Sequence, residues 1–319
     1  MTARSLNATL ILGFASLLFL GSHAQAQTAN RTFVSGTGSD SNTCTRALPC
    51  QTLPYAINQV ATGGEVYVID ALDTPGIFFP VTITKSVSII GAGARSGITG
   101  ALTVAPEAGG QVLLKGLDIN ALGSDGILVQ TSGITLVVDD CTIVNGFFGI
   151  TFVPSGTATS NLVVRNSTIS RDNAGGTGSN TAGIFVQPVS TGTTGKAVVV
   201  VENTNVNNNT YGIRAFDYSV VTVRNSVVTQ STWAGIRSEA QASPPGPVTI
   251  FVEHSQVSHN GGNGVLALGS TATMRLSDVT ITDNGAGIVY LNGGIVYSFG
   301  NNSVSGNLST NPPTPIPLS

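Results

Sequence analysis

A glycine followed by Ile or Val, and then by a short alternating apolar run, recurs along this chain. It stands at Gly126, Gly149, Gly183, Gly212, Gly235, Gly264 and Gly287. The shortest spacing is 23 residues, and the longer ones are 29 and 34. Self-similarity at a fixed period marks a repeat architecture, and a period of 23 is too short for a propeller blade. It accommodates about three short strands at ~3.3 Å per residue, which is one coil of a parallel β-solenoid.

Each coil holds a second landmark. LVVDDCTI (136–143) aligns with LVVRNSTI (162–169), VVVENTNV (199–206), VTVRNSVV (221–228), IFVEHSQV (250–257) and MRLSDVTI (274–281). YSFGNNSV (297–304) is a weaker copy, and VLLKGLDI (112–119) an earlier degenerate one. Insertions cluster after the Gly-led strand, at 154–161, 187–196 and 239–247, with one more at 171–182.

Period-two alternation assigns the columns. Ile127, Ile150, Ile184, Ile213, Ile236, Val265 and Ile288 point inward, as do Val129, Phe152, Val186, Ala215, Ser238, Ala267 and Tyr290. Asp140, Asn166, Asn203, Asn225, His254, Asp278 and Asn301 mark a turn, because Asn and Asp tolerate left-handed backbone. A looser column, Asp172, Asn209, Asn260, Asn284 and Asn307, marks another. The column Asp139, Arg165, Glu202, Arg224, Glu253 alternates in sign. A parallel stack makes these side chains neighbours and rewards alternation, whereas an antiparallel sandwich has no use for it. A slip of one coil would set like charges together.

The composition fits short strands joined by tight turns. Only 9% of residues are charged, against about 25% in an average domain, and Gly numbers 39. The net charge of -3, with no extended basic patch, argues against a nucleic-acid partner. Arg4, the apolar run from Leu10 to Leu20 and the small residues up to Ala26 read as a signal peptide over 1–26. No later run is long enough to span a membrane, so the sequence predicts an exported chain, extracellular, periplasmic or at the cell surface. In that setting Cys44 and Cys50 are expected to form a local disulfide, and Cys141 to be a buried small residue.

The stretch TFVSGTGSDSNTCTRALPCQTLPYAINQVATGGEVYVID (32–70), followed by VTITKSVSIIGAG (81–93), resembles the start of secreted bacterial β-helix proteins of the pectate-lyase-like superfamily. The resemblance implies an all-β fold, a single-stranded right-handed parallel β-helix with a short N-terminal capping helix at Leu53 to Val60. The expected organisation is a strand, disulfide loop and cap over 27–80, coils over 81–308 and a Pro-rich, extended or loose tail over 309–319. This fold carries lyases, hydrolases, epimerases and non-catalytic proteins alike, so activity must be argued from a site.

The familiar catalytic patterns of that superfamily are missing. Asp139-Asp140 is an acidic pair, but both residues already belong to structural columns, and neither Gly-His-Gly nor Arg-x-Lys accompanies it. No cofactor is predicted. Calcium is compatible with the fold class, yet needs six to eight oxygen ligands, and Asp172, Asp217, Glu239 and Asp283 are scattered over different coils. The expected metal set is therefore none. His254 and His259 read as turn or surface residues.

The outward side of the Gly-led sheet is the remaining candidate. One column there runs Leu128, Thr151, Phe185, Arg214, Arg237, Leu266, Val289, and the next Gln130, Val153, Gln187, Phe216, Glu239, Leu268, Leu291, with Phe148, Tyr211 and Trp233 at the preceding turns. Such an apolar outer face implies a ligand or covering loops. The ligand-binding set is Tyr211, Arg214, Phe216, Trp233, Arg237 and Glu239, with Arg214, Arg237 and Glu239 the catalytic candidates. The first expectation is a non-catalytic β-helix that binds polysaccharide or another cell-envelope component. The alternatives are a polysaccharide lyase or glycoside hydrolase working in that groove, and a purely structural or adhesin-like protein.

Overall fold

A computed structural model describes residues 29–72, 81–92, 96–170, 181–188 and 195–316; the expected leader and Asp172 lie outside them. The chain winds into a right-handed parallel β-helix. A 9-stranded sheet holds the Gly-led strands, and a 19-stranded sheet holds the other two strands of every coil. One coil reads Ile127–Thr131, Thr135–Asp139, Thr142–Val144. In two later coils the last two strands fuse into Val248–Ser258 and Ala272–Thr282.

The register follows the alternation. Ile127, Ile150, Ile184, Ile213, Ile236, Val265 and Ile288 form one rung-by-rung column, buried to 1% exposure or less. Tyr290 is only partly buried at the edge of this core. The Gly anchors sit where the chain enters this sheet. A Cβ at Gly235 would lie 2.7 Å from Val257 Cγ1 and 2.8 Å from the Gly264 carbonyl oxygen of the next coil. A side chain there has no room, which is why glycine recurs at this position.

The two turn columns have different roles. Asp140, Asn166, Asn203, Asn225, His254 and Asp278 take positive φ between 47° and 55°, as a tight corner requires. Asn301 does not. Gly300 holds that corner (φ 84°), and Asn301 Oδ1 instead accepts from the Asp278 amide. In the second column the left-handed residue comes one position earlier, at Asn208, Gln230, His259, Asp283 and Gly306. Asn209, Asn260 and Asn284 point inward and are buried. Asn260 Nδ2 donates to Asn284 Oδ1 at 2.8 Å, and Asn284 Nδ2 to Asn307 Oδ1 at 2.9 Å. Burying an amide is costly unless it is hydrogen-bonded, and stacking identical coils supplies a partner on each side. Ser231 interrupts the ladder, and its Oγ has no hydrogen-bond partner among the described residues.

The N-terminal end is closed by a cap. The helix Leu53–Gln59 begins at Thr52, whose Oγ1 accepts from the Tyr55 amide, and it lays Leu53, Ala56 and Ile57 over the first coil. Asp40 accepts from the Gln51 and Thr52 amides and from Thr52 Oγ1, tying the cap to the loop closed by the Cys44–Cys50 disulfide. At the other end the described part of the Pro-rich segment, up to Ile316, is extended along the last coils. Thr314–Pro315 adds a parallel strand to Tyr297–Ser298, and the Asn311 amide donates to the Ile288 carbonyl.

Candidate functional site

Strand pairing brings Arg214 directly opposite Arg237 on the outer face of the Gly-led sheet, and Phe216 opposite Glu239. Like charges at opposite positions repel. Glu239 resolves this by standing diagonal to Arg214 and two residues along from Arg237. Its Oε2 accepts from Arg214 Nε at 3.0 Å and Nη2 at 2.8 Å, and its Oε1 pairs with Arg237 Nη2 at 2.8 Å. Gln241 Nε2 also donates to Oε1. Both Arg214 donors converge on one oxygen, and each contact is charge-assisted and so stronger than a neutral hydrogen bond.

Aromatic rings enclose this triad. The Arg214 guanidinium lies 4.6 Å from the Phe216 ring centroid and 4.7 Å from that of Tyr211. Arg237 Nη1 donates to Tyr211 Oη at 3.0 Å, and its guanidinium lies 5.3 Å from the same ring. The rings continue on both sides, with Phe216 5.4 Å from Phe185, Phe185 5.0 Å from Phe148, and Tyr211 6.4 Å from Trp233.

All six expected ligand-binding residues therefore meet in one cluster, but most of it is covered. Tyr211, Arg214 and Phe216 are buried, and Glu239 is 0% exposed. Trp233 is 55% exposed and Arg237 keeps a narrow opening, its side chain 14% exposed. Part of the cover is the loop after Glu239. Asp217 accepts from the amides of Gln241, Ala242 and Gly246, at 2.9, 3.1 and 2.8 Å. Gly246 lets that loop press against the Tyr218 ring, where a Cβ would come within 2.6 Å of ring carbons. Sequence reasoning placed Asp217 among scattered acids. Its signal was the turn beside a loop rich in Pro, whose free amides need an acceptor.

Another acid near this face is Asp125, on the rung beside Thr151. Burial raises its pKa above the ordinary carboxylate range. Cys141 is buried and its thiol is pushed up to about 11, chiefly by desolvation. His254 and His259 are exposed, each 3.7 Å from the Asp of the next coil, Asp278 and Asp283. No cluster of three or more His, Cys, Asp or Glu side chains suited to a metal occurs among the described residues.

The charge ladder lies on the long sheet. Asp139 faces Arg165, Arg165 faces Glu202, Glu202 faces Arg224 and Arg224 faces Glu253. The structure adds a rung that the sequence reading lacked: Lys115 faces Asp139, with Nζ 3.9 Å from Oδ2. Burial works to raise the Asp139 pKa, but hydrogen bonds from Asn166 and Arg165 and the attraction of Arg165 and Lys115 outweigh it, and the net shift is downward.

A closed solenoid of this kind, capped by a helix and carrying long loops on one face, defines the class as right-handed parallel β-helix proteins. Residues 104–271 and 181–309 match the family described as "Right handed beta helix region", and the chain belongs to that family. No curated protein sequence matches the chain. Among solved structures, pectate lyase Pel9A is similar with a TM-score of 0.63 at 16% identity, covering 91% of this chain and 78% of that one. A rhamnogalacturonan lyase is similar with a TM-score of 0.54 at 17% identity, covering 84% and 75%. At such identities the likeness is one of fold.

Proposed function

We propose that this protein is an exported β-helix that binds polysaccharide without cleaving it, along the open edge of the aromatic cluster at Trp233. The observation that carries the reading is the contrast within that cluster. Trp233 presents an exposed ring against Tyr211, whose hydroxyl accepts from Arg237, while the Glu239 carboxylate is fully buried and held by two guanidiniums. An exposed aromatic ring with a second ring and its polar hydroxyl next to it suits a sugar, which stacks its C–H face and hydrogen-bonds through its rim.

Glu239 is poorly placed for acid or base work. Both of its oxygens are engaged by cations, and it stands three rungs from Thr151, whose strand adjoins the one that Asp125 precedes. Three rungs are about 14 Å, beyond the roughly 5–9.5 Å that separates the carboxyl pair of a glycosidase. The similar fold of a pectate lyase and a rhamnogalacturonan lyase makes acidic plant-type polysaccharides the first ligands to try. The Cys44–Cys50 disulfide supports export.

Calorimetric titration with polygalacturonate and rhamnogalacturonan tests this. Trp233→Ala is expected to weaken binding about tenfold, the loss of one stacking platform of ~1 kcal/mol or more. Unchanged affinity in that variant overturns the site. Release of unsaturated or reducing ends by the purified protein overturns the non-catalytic reading.

A further inference from the structure

The ladder face of the long sheet carries unusual side chains for a surface. Beside the charges runs a column of partly buried apolar residues, Leu113, Val137, Val163, Val200 and Phe251, interrupted by Thr222. The charges themselves alternate over six rungs, Lys115, Asp139, Arg165, Glu202, Arg224, Glu253. Within the chain, Asp139 pairs with Lys115 and Arg165, and Glu202 with Arg224.

An alternating row of even length has a property that an odd one lacks: reversed, it is its own complement. We propose that this face is a self-complementary interface joining two copies of the chain, with their solenoid axes antiparallel. A two-fold axis parallel to the strands maps every column onto itself in reverse order. With that axis between the rungs of Arg165 and Glu202, Lys115 meets the partner's Glu253, Asp139 meets the partner's Arg224 and Arg165 meets the partner's Glu202. The same operation sets Leu113 against the partner's Phe251 and Val163 against the partner's Val200. Apolar side chains therefore meet apolar ones at the centre and at the ends of the row, and Val137 meets the partner's Thr222 between them.

Other arrangements fail on the same columns. A two-fold axis along the solenoid carries the ladder to the opposite edge, so ladder does not meet ladder. A slip of one coil sets like charges together along the whole row, so the pattern selects one register as well as one orientation. An isologous contact of this kind closes at two copies.

The size is adequate. The axis also lies midway between the strands Val60–Val68 and Ile295–Ser298, so the overlap uses the stack of ten strands from one to the other, which carries the ladder. Five residues by ten strands is about 16 Å by about 45 Å, a flat footprint of roughly 700 Å². Side-chain relief raises this toward the ~800 Å² per partner of a standard stable interface.

Sedimentation velocity over a concentration series in low salt is expected to show a monomer–dimer equilibrium. The dissociation constant should rise about tenfold or more when salt screens the facing charges. Arg165→Glu and Glu202→Arg each set like charges at the centre and should be monomeric alone. Mixed together they restore opposite pairs and should form a heterodimer. Val163→Lys, an outward substitution that spares the ladder, should abolish the dimer and decides the matter if circular dichroism shows a charge variant unfolded. A wild-type chain that stays monomeric throughout the series overturns the proposal. So does a dimer that persists in Val163→Lys, or two folded charge variants that fail to pair when mixed.

Discussion

The molecule carries two sets of stacked charges, and they are treated in opposite ways. On the Gly-led sheet, Arg214, Arg237 and Glu239 are walled in by Tyr211, Phe216 and the loop held by Asp217. On the long sheet, the Lys115, Arg165 and Arg224 side chains remain about half exposed. Both rely on the same device, a neighbour one coil away at strand spacing. In water that device contributes little, because solvent screens it and long side chains lose freedom on pairing. Under cover the pair matters far more, since removing either partner leaves a buried charge alone. Equal chemistry on two faces thus yields a rigid floor on one and an adjustable surface on the other.

The contrast can be broken by removing one charge at a time, and the costs should fall in a fixed order. Glu239→Gln strips the counter-ion from two guanidiniums and should destabilise the fold by about 3–5 kcal/mol in urea titration. A loss below about 1 kcal/mol would mean that the cluster is solvated and the contrast false. Asp139 stands between the extremes, its side chain 8% exposed but its partners open. Asp139→Asn should cost about 1–2 kcal/mol at neutral pH. Because the folded pKa of Asp139 is lowered, its contribution is complete above the unfolded value near 4 and is lost as pH falls through the folded pKa. The variant should therefore lose less stability than wild type on acidification below about pH 4, measured by thermal unfolding across that range. Arg224→Gln on the open ladder should change the stability of dilute monomer by less than about 1 kcal/mol, and the difference should shrink in high salt.

The repeat, the inward columns and the ladder were legible because each coil places equivalent residues in register, so that a pattern in sequence becomes a column in space. The misreadings arose where a coil departs from the average. Gly300 took the corner assigned to Asn301 because the last coil holds one residue more between its strands. Lys115 was passed over because its copy, VLLKGLDI, has Gly116 in place of the usual Asn or Asp. The inward Asn ladder was read as a turn because its left-handed residue, such as His259 before Asn260, lies one position earlier and has no fixed identity.

The candidate cluster shows the limit most clearly. Alternation put Arg214, Arg237 and Glu239 on one outward face, and Trp233 and Tyr211 at its edge. Whether that face was open or shut depended on Asp217, Gln241 and Gly246, whose contacts bridge 24 to 29 residues and obey no repeat. The sequence alone determined the coil and, between the first and last copies, its register and its charge ladder, since these follow from local alternation repeated at a fixed period. Only the tertiary structure decided which charges are buried, because burial depends on where an irregular loop comes to rest.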